Sequence, residues 1–382
     1  MIKGIIIIEG HVQGLSNARS ASEMGLPVWV MHNGSCIAKH STSCSKFYQC
    51  SPYQSEEFIK ELVHLGKENE LRNWLLIPSN DYAVLNLSKH KNELSPFYVA
   101  FLSDFYTLES IVNKKRLLTL AKGKGIYIPK TYSLRSLKEI KKTKISFPVV
   151  TKGVIGQDFY KNVGRKAVIS NSKEEFNNNI HYISEKIELK ETFTQELISN
   201  KNSDHNTTLS VCCFCVNGNV LNIWMGEKLN QHPVTFGTAT LTRSIICKEL
   251  GEPSKRLISE LKYTGICEIE WLYNSKQEQY NLIEINPRSW LWIELAKASG
   301  MNFIKDMIDH LNQEKIEQNR KYETNVYWYN PITYYPYKVI AVIKGIPSYR
   351  PEGKVVNALF KKGDNKPGWA YLWTLFKIFK SR

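Results

Sequence analysis

The sequence predicts a multi-domain chain of mixed α/β and α+β class that opens with a parallel-sheet domain. Three observations carry this: a strand–helix–strand pattern at the start, a length of 382 residues, and two late apolar strands bearing acids. KGIIIIEG at 3–10 reads as a buried strand, GHVQGLSNARSASEMG at 10–25 as a helical stretch opened by glycine, and LPVWVMH as a second strand. Two strands joined by a helical crossover run parallel. The segment 56–71 reads as a helix and WLLIPSND at 74–81 as another buried strand with a polar end. Residues 1–105 therefore form an open α/β domain. The rest of the chain is too long to share one core with it.

Composition narrows the class. Apolar residues make up 42% and aromatics 12%, which suits a folded protein and excludes a disordered one. No run approaches the 18 or so apolar residues of a membrane-spanning helix. IIIIEG is too short for an export signal, so it reads as a first strand, and a cytoplasmic protein with reduced thiols is expected. The eight cysteines show no zinc-like pairs, and Cys212, Cys213 and Cys215 in LSVCCFCV read as small buried hydrophobes. Net charge is +15, and residues 313–382 hold 13 Lys and Arg against 5 Asp and Glu. That basic surplus is either a solvated face or a surface for something anionic. No nucleic-acid partner is expected, and no oligomeric state is read.

Further along, helical periodicity runs through IVNKKRLLTLAKGKG and stops at Gly123 and Gly125. FPVVTKG (147–153) and KAVIS read as strands around a glycine-dotted loop, followed by a helix at 172–187 and the strand TFTQELI. Residues 207–225 alternate as a hairpin about Asn217-Gly218. LISELKYTG reads as a helix with a glycine stop, CEIEWLYN as a strand, YNLIEINPR as its hairpin partner, and WLWIELAKASG as a closing helix.

The chemistry concentrates in NLIEINPRSW, 281–290. Leu282, Glu284, Asn286 and Arg288 alternate on one face of an extended chain, while Ile283 and Ile285 point to the other, into a core. Glu270 lies 14 positions earlier on the neighbouring strand. Two carboxylates placed together are costly unless a cation neutralises them. Two acids and an amide oxygen are hard ligands suited to Mg²⁺, which completes its shell with water and phosphate oxygens. Arg288 offers a planar fork to a phosphoryl or carboxylate oxygen. Lys152, ending a strand before a glycine-bearing loop, is a sensible phosphate grip.

The order Lys114, Lys152, Gln195-Glu196-Leu197-Ile198, Glu270, then Glu284-Ile285-Asn286-Pro287-Arg288 resembles the ATP-grasp superfamily of carboxylate–amine ligases. Within it, the chain resembles the branch of predicted carboligases that includes carbamoyl-phosphate synthetase-like and D-aspartate ligase-like members. The likeness covers roughly residues 1–312, and GEKLNQHPVTFGTATLT (226–242) is similar to a basic, Pro- and Gly-containing segment of that branch. It implies a Rossmann-like first domain (1–105), a small lobe with a phosphate flap (106–195), a large lobe with the metal site (196–312) and a basic aromatic extension (313–382).

By the same resemblance, Lys114 and Lys152 contact ATP phosphates, with Lys115 an alternative to Lys114. The loop Gly153–Gly164 folds over the triphosphate. Gln195 and the backbone of Glu196 to Ile198 bind adenine. Glu270, Glu284 and Asn286 hold Mg²⁺, or Mn²⁺ in its place, with Glu284 bridging two ions. Arg288 steadies the transferred phosphoryl group, and Lys228 and Arg243 are weaker candidates for substrate contact. The implied activity joins a small carboxylate to a small amine at the expense of ATP.

Two rival readings remain open. One is a nucleotide-binding protein of the same fold without catalysis. The other is an oxidoreductase using the N-terminal domain, but GHVQGL has a GxxxG spacing rather than the GxGxxG of a dinucleotide loop. Asn80-Asp81 after a strand reads equally as a substrate contact or a helix cap. In the terminal WAYLWTLFKIFK, Trp369, Leu372, Trp373 and Phe376 recur at helical spacing. Peripheral contact with a membrane through 368–382, or packing on the protein itself, would explain that pattern.

Overall fold

Isoleucines 5 to 8 are wholly buried, and they form the central strand of the first sheet. Each such side chain contributes about 1.5–3 kcal/mol by leaving water. The computed structural model describes all residues except 133–135, 137–138, 141–142, 199–207, 234–235, 347 and 381–382; of 375–380 it describes the backbone alone. Position 207 of the expected hairpin, 234–235 of the 226–242 segment and the tip of 368–382 lie outside the described residues.

Strands β1 (Gly4–Ile8), β2 (Val28–His32), β3 (Lys46–Gln49), β4 (Trp74–Pro78) and β5 (Tyr98–Val99) form a sheet in the order β3-β2-β1-β4-β5. All four pairings are parallel, as the crossover predicted. The helix Val12–Ser22 joins β1 to β2, and Glu56–Glu68 leads to β4. Ser55 caps the latter by accepting from the Phe58 N–H, and Glu56 and Glu57 favour its positive end. The strand order reverses between β1 and β4, so their C-terminal ends flank the crevice where open α/β sheets bind ligands.

The single helix expected over 111–125 is two: Phe105–Val112 and Lys114–Gly123. Asn113 breaks the run because its side chain accepts from the Arg116 N–H as an N-cap. Next comes a four-stranded sheet of β6 (Thr131–Tyr132), β7 (Val149–Gly153), β8 (Val168–Ser170) and β9 (Thr192–Glu196), in the order β6-β9-β7-β8. Phe159, Val163, Phe176 and Ile180 pack beneath it. The stretch 153–164 is not the loop that was expected: Gly156–Val163 is a helix. Phe159 and Val163, one turn apart, are its buried contacts, Asp158 and Lys161 suit its dipole, and Gly164 ends it at φ 76°.

The remaining strands are β10 (Thr208–Val216), β11 (Asn219–His232), β12 (Thr238–Ile245), β13 (Gly265–Asn274), β14 (Gln279–Asn286), β15 (Tyr327–Tyr329) and β16 (Val355–Asn357). They lie in the order β14-β13-β10-β11-β12-β15-β16. Asn217 and Gly218, both with positive φ, make the predicted turn. The helix read as LISELKYTG starts earlier, spanning Lys248–Glu260, and Gly265 opens β13 instead of ending the helix. Cys212, Cys213 and Cys215 are buried, as are Trp290 and Trp292. No helix among the described residues is long and apolar enough to cross a membrane.

The chain separates into two compact units: 1–108 with 210–268 and 286–382, and 109–209 with 269–285. The boundaries cut β13 after Glu268 and β14 after Ile285. Residues 313–382, read as an extension, are part of the first unit and supply β15 and β16. Arg19 and Asp364 anchor them: the guanidinium donates to the Asp364 carboxylate at 2.9 Å and to the Leu359 and Asp364 carbonyls.

Candidate functional site

In the second unit, four charged side chains from four separate stretches converge. Lys152 is the fourth residue of β7, and the next, Gly153, leaves no room for a side chain: a Cβ there would lie 2.3 Å from Phe159 Cβ. Lys114 opens its helix, and its backbone N–H donates to the Val154 carbonyl at 3.0 Å, tying the helix start to the end of β7. Of the adjacent lysines, it is Lys114 whose ammonium meets the Glu284 carboxylate. Burial, and then the Lys114 charge, bring the Lys152 ammonium down to about 8, with Glu270 opposing both. Gly156, first residue of the Gly156–Val163 helix, sits beside Lys114, whose Nζ would be 3.9 Å from a Cβ there. Two ammonium groups and a helix N-terminus form an electropositive corner, bordered by the two acids.

Leu282 is fully buried, and its N–H donates to the Tyr127 carbonyl at 2.8 Å. Ile285 is buried as expected, but Ile283 is only half-buried. Gln195 is buried, with Nε2 donating to Thr131 Oγ at 3.1 Å. The Glu196 and Leu197 N–H groups donate to the Lys130 and Pro148 carbonyls. They serve the lobe's own structure, so they are not spare donors for a base. Ile198 follows the strand and is half-buried.

In the first unit, Asn286 Nδ2 donates to Glu268 at 3.0 Å, and Ser210 Oγ donates to the same carboxylate at 2.8 Å. Pro287 turns the chain, with the Arg288 N–H returning to the Asn286 carbonyl. The Arg288 guanidinium donates to Asp81 at 2.6 Å and to Asn286 Oδ1 at 3.4 Å. Burial works against its charge, but Asp81, then Glu9 and Glu268, more than offset this and hold it protonated. Asn17, on the first helix, donates to Ser79 and Ser289, fastening the EINPRS turn beside the end of β4.

Glu9 and Glu268 were missed from the sequence. Glu9 ends the run KGIIIIE in a left-handed conformation at φ 75° and accepts from Asn80 at 3.4 Å. Burial raises its carboxyl to about 7, with Arg288 and Asn80 pulling it down and Asp81 adding to the rise. Asn80 is also a helix cap, accepting from the Tyr82 N–H. The available signals were an acid at the end of β1 and the EIE repeat in β13.

Lys228 lies opposite Thr242 on β12, half-buried. Arg243 is held by its cross-strand partner Glu227 at 2.6 Å, which occupies its charge. Among the described residues, no group of three or more His, Cys, Asp or Glu is arranged to hold a metal ion. The set read from the sequence has two carboxylates and an amide, which suits only a metal content with few protein ligands, such as Mg²⁺. The contact of Lys114 with Glu284 shows that this carboxylate takes a cation.

Residues 161–316 match the family model described as carbamoyl-phosphate synthase L chain, ATP binding domain. A D-aspartate ligase of Enterococcus faecium (strain Aus0004) is 23% identical over 262 residues, 65% of this chain and 62% of the relative. The match thus spans under two thirds of that ligase's length. An L-amino acid ligase from Bacillus licheniformis superposes with TM-score 0.61 at 16% identity, covering 81% of this chain and 73% of that one. The N5-carboxyaminoimidazole synthetase of Staphylococcus aureus, solved with ADP, gives TM-score 0.66 at 17% identity, over 84% and 82%.

The fold is similar to that of these two solved enzymes, and it opens with a parallel five-stranded sheet. Over residues 161–316 the chain is similar to an ATP-binding domain of carbamoyl-phosphate synthase type.

Proposed function

We propose that the protein is an ATP- and Mg²⁺-dependent ligase that joins a carboxylate to an amine. The observation that carries this is the ion pair of Lys114 with Glu284, in the same unit as a Lys152 on which the charges of Lys114 and Glu270 act. Lys114, Lys152 and the N-terminus of the Gly156–Val163 helix would receive the phosphates of ATP. Glu270, Glu284 and Asn286 would hold Mg²⁺, with Mn²⁺ as a substitute of like donor preference; the ion supplies charge neutralisation at the phosphates. A substrate carboxylate oxygen attacks the γ-phosphorus, ADP leaves, and the acyl phosphate then loses inorganic phosphate to an amine, forming an amide. Positioning and charge neutralisation carry the first step. Arg288 would steady the transferred group, and Glu9 and Asp81 at the strand ends would draw the amine. Gln195 and the chain to Ile198 would border the base, with Lys228 and Arg243 nearer the substrates.

A cytoplasmic setting is part of this reading, and so is peripheral contact with a membrane through 368–382. Trp369, Leu372 and Trp373 are exposed there, at 65%, 40% and 60%. The deciding measurement is ADP release with Mg·ATP and a panel of amino acids, singly and in pairs. A pair that stimulates release and yields its amide by mass spectrometry supports the ligase. Binding of Mg·ATP with no stimulation by any carboxylate–amine pair would favour the non-catalytic reading.

Lys152 gives a pH prediction. A polyanion prefers the ammonium form, so binding it raises the lysine's pKa above the free value of about 8. Nucleotide affinity should be flat below that pH and fall above it, by at most about tenfold per unit. Lys152→Arg should move the fall to higher pH; an unchanged profile would remove Lys152 from the phosphate site.

A further inference from the structure

The helix Pro331–Lys344 has two apolar faces, and only one is used by the fold. Tyr334, Tyr337 and Ala341 are buried, with Tyr334 packing on Leu229, Leu241 and Tyr327 of the large sheet. On the other side Tyr335, Val339, Val342 and Ile343 stand 58%, 60%, 81% and 77% exposed. Their spacing of four, three and one places them in a stripe about 100° wide. Surface helices of soluble proteins turn charge outward, so an exposed run of this kind marks a contact surface.

The charge around the stripe indicates what covers it. No Asp or Glu occurs between Glu323 and Glu352, while Lys338, Lys344 and Arg350 all do. A face rich in Tyr, Val and Ile, bordered by cations and free of acids, has the chemistry of an interfacial helix on an anionic bilayer. The apolar side chains enter the headgroup boundary, lysines meet lipid phosphates, and tyrosine sits at the polar–apolar border. The terminal helix Lys366–Lys380 repeats the composition: no acid follows Asp364, and Trp369, Leu372 and Trp373 are exposed.

We infer that the outward stripe of the Pro331–Lys344 helix docks the protein peripherally on an anionic lipid surface. The inference stands apart from the ligase reading, since it uses no residue of the nucleotide site. The test is co-sedimentation of the full chain with phosphatidylcholine vesicles, with and without about 30% phosphatidylglycerol, across a range of salt. The expected result is binding only to the anionic vesicles, weakened by salt. It should fall at least tenfold in V339Q/V342Q/I343Q and become less salt-sensitive in K338Q/K344Q. Glutamine is a good helix former and these side chains are exposed, so circular dichroism should be unchanged.

No binding by the native chain would overturn the proposal, as would native-like binding by the triple variant. Loss confined to W369S/W373S would also overturn it, moving the contact to the terminal helix. So would a native dimer that the triple variant makes monomeric in sedimentation, because the stripe would then cover a second copy.

Discussion

Glu284→Gln is expected to abolish substrate-dependent ADP release, by about 10²–10³-fold or more, while the protein stays folded. Gln keeps the shape of the side chain but removes its charge. The Lys114 ammonium then loses its ionic partner, and one of the two proposed carboxylate ligands becomes a neutral amide. Glu284 is part-exposed, at 22%, so its loss should leave the unfolding transition near that of the native chain. Lys114→Met separates the two roles: if it weakens nucleotide binding more than it slows turnover, the lysine serves the phosphates, and the acid serves the metal. Turnover at the native rate in Glu284→Gln would end the metal assignment.

Arg19→Met should be strongly destabilising to the first unit. Arg19 and Asp364 are 4% and 7% exposed, and the pair joins the first helix to a segment 345 positions later in the chain. Ser41 Oγ and the Thr42 N–H also donate to the Asp364 carboxylate, at 2.6 and 2.9 Å. Removing the guanidinium leaves a carboxylate buried with its main counter-charge gone, a loss of about 3–5 kcal/mol. For a unit of this size that is a fall in Tm of roughly 6–20 °C. Arg19→Met with Asp364→Leu should recover part of it, because the unpaired charge goes too.

Acid should act in the same direction. Burial alone would raise the Asp364 carboxyl, but the hydrogen bonds from Ser41, Thr42 and Arg19, with the Arg19 charge, hold it below the usual value of 3.8. Its stabilisation is therefore complete above that pH and is lost as pH falls through the lower folded-state value. The acid limb of a stability–pH curve should flatten in the double variant; an identical limb would show that this pair does not govern acid unfolding.

Much of this was legible in local pattern. The parallel sheet followed from KGIIIIEG, a helix and LPVWVMH, since a crossover dictates direction and the Ile run dictates burial. EINPR announced its polar face by period two. The Gly156–Val163 helix was misread as a loop because glycines at both ends outweighed the one-turn spacing of Phe159 and Val163. Glu9 escaped notice because a single acid after a strand looks like an ordinary turn residue until Arg288, Asp81 and Asn80 stand around it.

The sequence by itself determined the parallel crossover that opens the chain, most of its long strands and the candidate acids, amide and lysines of the 270–288 region. These depend on side-chain periods of 2 and 3.6, which act within one element. Only the tertiary structure decided which of two lysines meets Glu284, that Arg19 closes on Asp364, and that one helix turns a second apolar face outward. Pairings over hundreds of residues are chosen by burial and charge summed over the whole core, and no local spacing encodes that sum.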